Sequence, residues 1–146
     1  MYIMNDMLFS QGCPKNKLVL GIPLYGRSFK LLTTDTGINA YAGPGRLGGW
    51  TKEAGFVSYY EVCDYLSRGA RRLWTERQQS PYMVLNDQWV GYEDAESIQA
   101  KVAYMREQGL GGVMMWSLDL DDFTEGEFCG AGRFPLLNTI NNFCFT

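Results

Sequence analysis

Aromatic and basic side chains that could bind a ligand stand beside two apolar runs of the sequence. The run Lys17–Ile22 is followed closely by Tyr25 and Arg27. These two residues are two positions apart, so they face the same side if the chain there is extended. Trp116 lies within the second run, Leu110–Leu120. Flat rings stack against the apolar faces of ligands, although large protein cores use them too.

The residue types that several enzyme classes need are missing. The sequence has no His, so this chain alone cannot build a Ser-His-Asp or Cys-His arrangement or a His-ligated zinc site. The cysteines form no C-x-x-C pair, which argues against zinc and leaves disulfides or buried thiols. The acidic stretch Asp119–Glu127 lacks the glycine and the spacing of an EF-hand. No metal or cofactor is therefore predicted.

Charge and hydropathy narrow the range of partners. The net charge is -3 and no run of Lys or Arg occurs, which argues against binding to nucleic-acid phosphates. A neutral or weakly charged ligand fits better. No segment approaches the length of a transmembrane helix. Met1–Ser10 has no basic stretch leading into a long apolar run, so neither a membrane partner nor a signal peptide is predicted.

Two buried strands must position the ligand-binding residues. Lys17–Ile22 and Leu110–Leu120 are nearly continuous apolar runs, which are typical of strands buried on both faces in a parallel sheet. The spacing of apolar residues over Tyr2–Gln11 predicts a helix before the first strand. A second helix is predicted from Asp94, which can cap its start, to Gly109, which ends it.

Between these elements the pattern changes. The segment 30–50 is rich in Thr, Gly and Pro and predicts a loop. A helix is predicted over Gly55–Arg68 from the apolar spacing. Extended segments follow, with Asn86-Asp87 as a hairpin turn, and they cover Arg72–Thr75, Tyr82–Leu85 and Gln88–Tyr92.

This order of elements predicts an α/β fold of the barrel type. A buried strand, an α+β insertion, a helix and another buried strand follow one another, with polar residues after the strands. Sites of (β/α) barrels lie at that carboxyl face. A complete barrel needs about 250 residues, so this chain can supply only part of one.

Four blocks of the sequence are recognisable by their residues and order. They are KLVLGIPLYGRSF at 17–29, KEAG with YEVC at 52–63, WVGYED at 89–94 and GGVMMWSLDLDDF at 111–123. Together they resemble glycoside hydrolase family 18, and the animal chitinases and chitinase-like lectins in particular. The resemblance implies a partial (β/α)8 TIM barrel. Residues 1–29 would form a barrel helix and the seventh strand, and 30–93 a loop with the α+β chitinase insertion domain. Residues 94–146 would form the final barrel helix, the eighth strand and the C-terminal helix, and the first six strands are not expected in this chain.

The resemblance also implies roles for individual residues. Trp116 would be the flat floor on which a sugar stacks, whereas the residue type alone favours the alternative of a buried core Trp. Tyr25 and Arg27 would line the same cleft, with a surface ion pair as the alternative for Arg27. Glu53 and Phe56 would line the insertion-domain wall, Phe56 one helical turn further along. Alternatively, Glu53 only stabilises the start of the helix that follows it.

The catalytic motif of family 18, D-x-x-D-x-D-x-E, has no counterpart in this sequence. Its acid protonates the glycosidic oxygen while the substrate's N-acetyl group attacks, which departs from the usual two-carboxylate scheme. The resemblance assigns no catalytic role to Asp119, Asp121 or Asp122. The expected function is therefore binding of chitin or chito-oligosaccharide by a chain that is inactive alone. The alternatives are a non-catalytic chitinase-like lectin and a truncated gene model without independent function.

The resemblance further implies a disulfide between Cys63 and Cys129, as in the vertebrate-type chitinases. Such bonds persist in secreted proteins, so an extracellular location is expected. Cys144 would pair within the missing N-terminal part of the barrel, on which this chain would depend, and Cys13 has no family counterpart.

Overall fold

The computed structural model describes residues 10–144, so the helix predicted over Tyr2–Gln11 lies almost entirely outside the described residues. No helix within the described residues is long and apolar enough to cross a membrane. The strands are β1 (Val19–Pro23), β2 (Tyr25–Leu31), β3 (Ala42–Pro44), β4 (Phe56–Ser58), β5 (Arg71–Thr75), β6 (Ser80–Leu85), β7 (Gln88–Gly91) and β8 (Gly112–Trp116). The helices are α1 (Tyr59–Ser67), α2 (Ala95–Gln108) and α3 (Pro135–Cys144).

The two apolar runs form a parallel pair, as predicted. Strand β1 pairs with β8 in a register that places Val19 opposite Gly112 and Pro23 opposite Trp116. Helices α2 and α3 cover one face of this pair. The core there consists of Leu20, Ile22, Leu24, Ile98, Val102, Met105, Leu136 and Ile140. Within residues 10–144 this sheet contains these two strands alone, so it is not a closed barrel.

The opposite face of the β1–β8 pair is exposed, and here the prediction of burial on both faces is wrong. Val19 and Met114 lie on this face and are about as exposed as surface residues. Apolar side chains on both faces are typical of strands that are covered on both sides. No other element within residues 10–144 packs on this face, so burial alternates along β1 instead of being continuous.

The remaining strands build an antiparallel sheet in the order β3-β2-β7-β6-β5. Strand β3 pairs with the second half of β2, and β4 pairs with its first half. The predicted hairpin connects β6 to β7, and Asn86 in its turn has a left-handed φ of 54°. Asn tolerates this conformation better than most residues. A second core lies between this sheet and α1, and it consists of Val57, Val62, Met83, Val90 and Tyr92.

Two predictions in the middle of the chain are wrong because strands pair over long distances. The helix predicted from Gly55 begins only at Tyr59, since Phe56–Ser58 pair with β2 as β4. Phe56 is therefore a strand residue and does not stand one helical turn from Glu53. Within the predicted loop 30–50, Ala42–Pro44 pair with β2 as β3.

Helix α2 matches its predicted limits. Asp94 is the N-cap, and its carboxylate accepts a hydrogen bond from the Ser97 N–H at 3.0 Å. The helix ends at Gly109, whose φ of 66° is left-handed. Its buried stripe contains Ile98, Val102 and Met105 and faces β1 and β8. This helix thereby fixes the strands whose carboxyl ends carry the candidate site.

Buried polar contacts join the two parts of the structure. Lys101 of α2 forms a buried ion pair with Glu93 and donates to the Ser80 hydroxyl of β6 at 2.7 Å. Asp121 accepts hydrogen bonds from the N–H groups at the start of α3, including that of Leu137 at 3.0 Å. Asp122 accepts from the Cys129 N–H at 2.9 Å. Both aspartates therefore organise the backbone after β8.

A disulfide connects Cys63 of α1 to Cys129, the pair expected from the family resemblance, with the two Cα atoms 5.0 Å apart. It links the helix that covers the antiparallel sheet to the segment that follows the parallel pair. Cys13 and Cys144 form no disulfide within residues 10–144.

Candidate functional site

Trp116 stands at the carboxyl end of β8 and projects from the uncovered side of the parallel pair. Its side chain is 66% exposed, so it is not a core residue of the described structure. The parallel register puts it opposite Pro23, and its carbonyl accepts a hydrogen bond from the Leu24 N–H at 2.9 Å. The peptide bond between Trp116 and Ser117 is cis. The hydrogen bond from Leu24 places the Trp116 backbone next to the start of β2.

Tyr25, Arg27 and Phe56 form a compact group on β2 and β4. Arg27 lies opposite Phe56 in the antiparallel register. The rings of Tyr25 and Phe56 have their centroids 4.9 Å apart. The guanidinium carbon of Arg27 is 5.3 Å from each of the two centroids. A cation at this distance is attracted to the electron-rich faces of the rings.

The Arg27 guanidinium keeps its hydrogen-bonding capacity. It makes no hydrogen bond or ion pair with any residue in the range 10–144, so the predicted alternative of a surface ion pair is not found there. Guanidinium carries five N–H donors and no acceptor. Arg27 can therefore donate to the oxygen atoms of a ligand without breaking an existing contact.

A depression of about 350 Å³ joins Trp116 to Tyr25. Its lining residues are Gly21, Ile22, Pro23, Tyr25, Met114 and Trp116. Two of them are aromatic and none is charged. A ligand lying in this depression would contact the indole on one side and the phenol ring on the other.

Glu53 does not join this group. It is exposed on the loop before β4, and it has no hydrogen bond or ion pair to Arg27. Its carbonyl accepts from the Gly48 N–H at 3.2 Å. The alternative role of Glu53, stabilising the start of a helix, is wrong, because α1 begins at Tyr59 and its first-turn acid is Glu61.

Glu61 is the residue that the sequence reasoning missed. It is buried at the start of α1, and its carboxylate accepts hydrogen bonds from the N–H groups of Trp50 at 2.7 Å, Thr51 at 3.2 Å and Ser58 at 2.9 Å. Ser58 accepts in return from the Glu61 N–H. The spacing S-x-x-E is a capping box and is visible in the sequence. Glu61 thereby fixes the loop that leads to Glu53 and Phe56.

The pKa of Glu61 reports the same contacts. Burial by itself would raise this pKa, but the hydrogen bonds from the backbone N–H groups of Trp50 and Ser58 outweigh it, and the pKa is lowered. A carboxylate that accepts several N–H bonds is stabilised in its charged form. Glu61 is thus an ionised structural group.

The chemistry of this site is that of noncovalent recognition. An exposed indole offers a flat surface, the Tyr25–Phe56 pair offers a second, and Arg27 offers donors at their edge. No group of His, Cys, Asp and Glu side chains within residues 10–144 could hold a metal ion. The arrangement suits a ligand with apolar faces and oxygen acceptors around its rim.

Comparison with known proteins identifies what this chain is similar to. The family model described as glycosyl hydrolases family 18 matches residues 1–121. Chitotriosidase-1 of Mus musculus is 48% identical over 132 residues, which are 89% of this chain and 27% of that protein. The oviduct-specific glycoprotein of Ovis aries is 47% identical over 134 residues, which are 90% of this chain and 24% of that protein. The chain therefore spans about a quarter of the length of these relatives.

Solved structures share the fold. Human YKL-39, described as a pseudo-chitinase with retained chitooligosaccharide binding properties, superimposes with a TM-score of 0.92 at 41% sequence identity. The match covers 97% of this chain and 38% of that one. Structures of this kind are family 18 barrels, so the predicted fold class, α/β and part of a (β/α)8 barrel, is confirmed.

Proposed function

This chain belongs to the glycosyl hydrolases of family 18, and from that premise we propose that it binds chitin or chito-oligosaccharides through Tyr25, Arg27, Phe56 and Trp116. The observation that carries the proposal is the exposed Trp116 indole, which lines one depression with Tyr25, the ring that the Arg27 guanidinium contacts. Aromatic side chains with an unused cationic donor next to one of them serve a ligand that has both apolar faces and polar edges. A chain of N-acetylglucosamine units has both.

Each residue has a distinct part in this proposal. The indole of Trp116 stacks on the apolar face of one sugar ring, and Tyr25 limits the depression on the other side. Arg27 donates hydrogen bonds to hydroxyl or N-acetyl oxygens. Phe56 holds the guanidinium in place from the side of β4. Glu53, which is exposed on the loop before β4, accepts a hydrogen bond from a sugar hydroxyl.

We assign no hydrolysis to this chain acting alone. Family 18 enzymes cleave β-1,4 linkages with an acid that belongs to the D-x-x-D-x-D-x-E motif, and that motif does not occur in this sequence. The second candidate function is that of a chitinase-like lectin. The similarity to YKL-39, a pseudo-chitinase that retains chitooligosaccharide binding, favours it. A truncated gene model without function of its own is the remaining alternative.

The uncovered face of the β1–β8 pair supports a further part of the proposal. Val19, Met114 and Trp116 expose apolar surface there, which further barrel strands would cover. We propose that such strands complete the cleft and that the segments 1–29, 30–93 and 94–146 correspond to barrel, insertion domain and barrel. Strand β2, which begins within the first segment, pairs with the antiparallel sheet. The disulfide and the relatives favour an extracellular location.

Calorimetric titration of this chain with the hexamer of N-acetylglucosamine tests the proposal. We expect saturable binding to the wild type and an affinity lower by roughly 10-fold in Trp116→Ala, because the stacking surface is lost. Trp50→Ala is the matched control, since Trp50 is also 50% exposed but packs against Phe128 away from the depression. It should bind as the wild type does.

The same samples separate the remaining alternatives. Mass spectrometry of the hexamer after incubation should show no shorter products. Shorter products would contradict the assignment of the chain as inactive alone. A folded wild type that does not bind, or an affinity unchanged in Trp116→Ala, would rule out the binding role.

A further inference from the structure

The face of the antiparallel sheet next to the site is unusually rich in aromatic side chains. Along β2, Tyr25, Arg27 and Phe29 share one face, while Gly26 and Ser28 are buried on the other. Phe29 is 44% exposed. It lies about 13 Å along the strand from Tyr25, at a rise of about 3.3 Å per residue. The aromatic face therefore extends well beyond the candidate site.

The neighbouring strands add two more rings to this face. Trp89 of β7 lies opposite Phe29, with the ring centroids 5.9 Å apart, and it stacks on Tyr82 at 5.2 Å. Gly91, opposite Arg27, leaves room for the indole, because a Cβ atom there would come within 3.0 Å of the Trp89 ring. Glycine at this position thus lets the Trp89 ring lie along the sheet between Phe29 and Tyr82.

Three depressions follow one another along this surface. The first, between Trp116 and Tyr25, shares Pro23 and Tyr25 with a second of about 280 Å³. The second shares Ile38 and Trp89 with a third of about 300 Å³. The lining of the third contains Phe29, Ile38 and Trp89 and no charged residue. The shared residues make the three a continuous trough that starts at Trp116.

From this continuity we infer that the trough is an extended subsite, in which Phe29, Ile38 and Trp89 bind sugar units beyond those held at Trp116 and Arg27. The inference rests on the proposed function and identifies the surface that the rest of a longer ligand would contact. The occupant is a linear, neutral chain of N-acetylated sugars, because the far depression has apolar walls and no charged side chain to pair with an acidic or basic ligand. The aromatic rings of Phe29 and Trp89 and the aliphatic side chain of Ile38 suit the flat apolar faces of such a chain.

Ligand length tests the inference. The dimer of N-acetylglucosamine occupies only the part near Trp116, whereas the hexamer reaches Phe29. We expect the wild-type chain to bind the hexamer more tightly than the dimer. Phe29→Ala should lower the affinity for the hexamer by about 2- to 10-fold, the range of one lost aromatic contact, and leave the affinity for the dimer unchanged. Ile38→Ser, in the loop above the trough, should weaken the hexamer in the same selective way.

Tyr41→Ala is the matched control, because Tyr41 is 80% exposed in the same loop region and lines none of the three depressions. It should bind both ligands as the wild type does, and thermal unfolding should show all variants folded. Equal affinities for dimer and hexamer in the wild type would overturn the inference. So would a hexamer affinity unaffected by Phe29→Ala and Ile38→Ser, or an equal loss for both ligands. In these cases Trp116→Ala still reports on the proposed function separately, whereas a wild type that binds neither ligand would overturn both.

Discussion

Arg27 illustrates how a single side chain can be prepared for binding by its neighbours. The rings of Tyr25 and Phe56 hold the guanidinium plane, and no acidic residue within the described chain neutralises it. Ordering the side chain before binding removes part of the entropy cost that a ligand would otherwise have to overcome. A lysine could not replace it in full, because its ammonium group is a compact point charge without a planar surface.

Glu61 should make stability depend on pH in the acidic range. Its pKa is lower in the folded chain than the ordinary value of 4.5. Its contribution is therefore fully present above about pH 4.5 and is lost as the pH falls through the folded-state pKa. Glu61→Gln should lower the free energy of unfolding by about 1–3 kcal/mol at pH 7, because buried N–H groups lose an ionised acceptor. Urea unfolding from pH 7 to pH 3 should show this difference shrinking.

The control for this measurement is Glu53→Gln. Glu53 is exposed in the loop that Glu61 anchors, and its side chain has no hydrogen bond within residues 10–144. Its replacement should change the free energy of unfolding little at any pH. A gap between wild type and Glu61→Gln that stays constant down to pH 3 would contradict an ionic role for Glu61.

At the scale of elements, the end of α2 depends on one backbone conformation. Gly109 has a φ of 66°, and a Cβ atom added there would meet no atom within 4 Å. Gly109→Ala therefore tests backbone strain without a steric clash. We expect the free energy of unfolding to fall by roughly 1–2 kcal/mol, the cost of a left-handed alanine, as measured by chemical denaturation.

Gly21→Ala serves as the comparison. Gly21 in β1 does not have a left-handed φ, and its added Cβ would make an ordinary contact of 3.5 Å with Met114. This variant should be as stable as the wild type or slightly more stable, because the unfolded chain loses freedom. If both variants lost the same stability, the left-handed conformation would not be the cause.

How well an element could be predicted depended on whether its signals are local. Helix α2 carries its own limits, with Asp94 at the start and Gly109 at the end, and an apolar stripe between them. Helix α1 carries an equally local signal in Ser58 and Glu61. The apolar spacing upstream of Ser58 continues the helical pattern, so it predicts a helix that begins too early. Phe56–Ser58 form a strand only because β2 lies beside them, and no periodicity within those three residues predicts that pairing.

At the scale of the whole molecule, the disulfide between Cys63 and Cys129 closes a loop with a sequence separation of 66. Chain-entropy estimates give about 4 kcal/mol for a loop of this size. The double variant Cys63→Ala/Cys129→Ala should lose stability of this order in urea unfolding. Dithiothreitol should lower the free energy of unfolding of the wild type to that of the double variant, and it should leave the stability of the variant unchanged.

Cys13→Ala provides the control, since Cys13 forms no disulfide within the described residues. Its stability should be close to that of the wild type. Equal unfolding midpoints for the wild type and the double variant would show that the loop closure does not stabilise the folded chain.

The site could be predicted from sequence in part. Alternation along β2 places Tyr25 and Arg27 on one side, and the carboxyl ends of parallel strands bring Trp116 to the same edge. The trough beyond them could not be predicted. Trp89 meets Phe29 only through the register of β7 on β2. These two strands are far apart in the sequence and no tight turn joins them, so packing on the opposite face sets their register.

The pairing of β1 with β8 also determines the order in which the molecule can assemble. Residues 19–23 must find residues 112–116 across a segment that contains the entire antiparallel sheet. Hairpins such as β6–β7 close short loops, whereas β1 and β8 close the longest loop of any strand pair within residues 10–144. Long-range contacts of this kind form slowly. The depression between Tyr25 and Trp116 therefore comes into existence late in folding. This depression is absent until β8 has docked on β1.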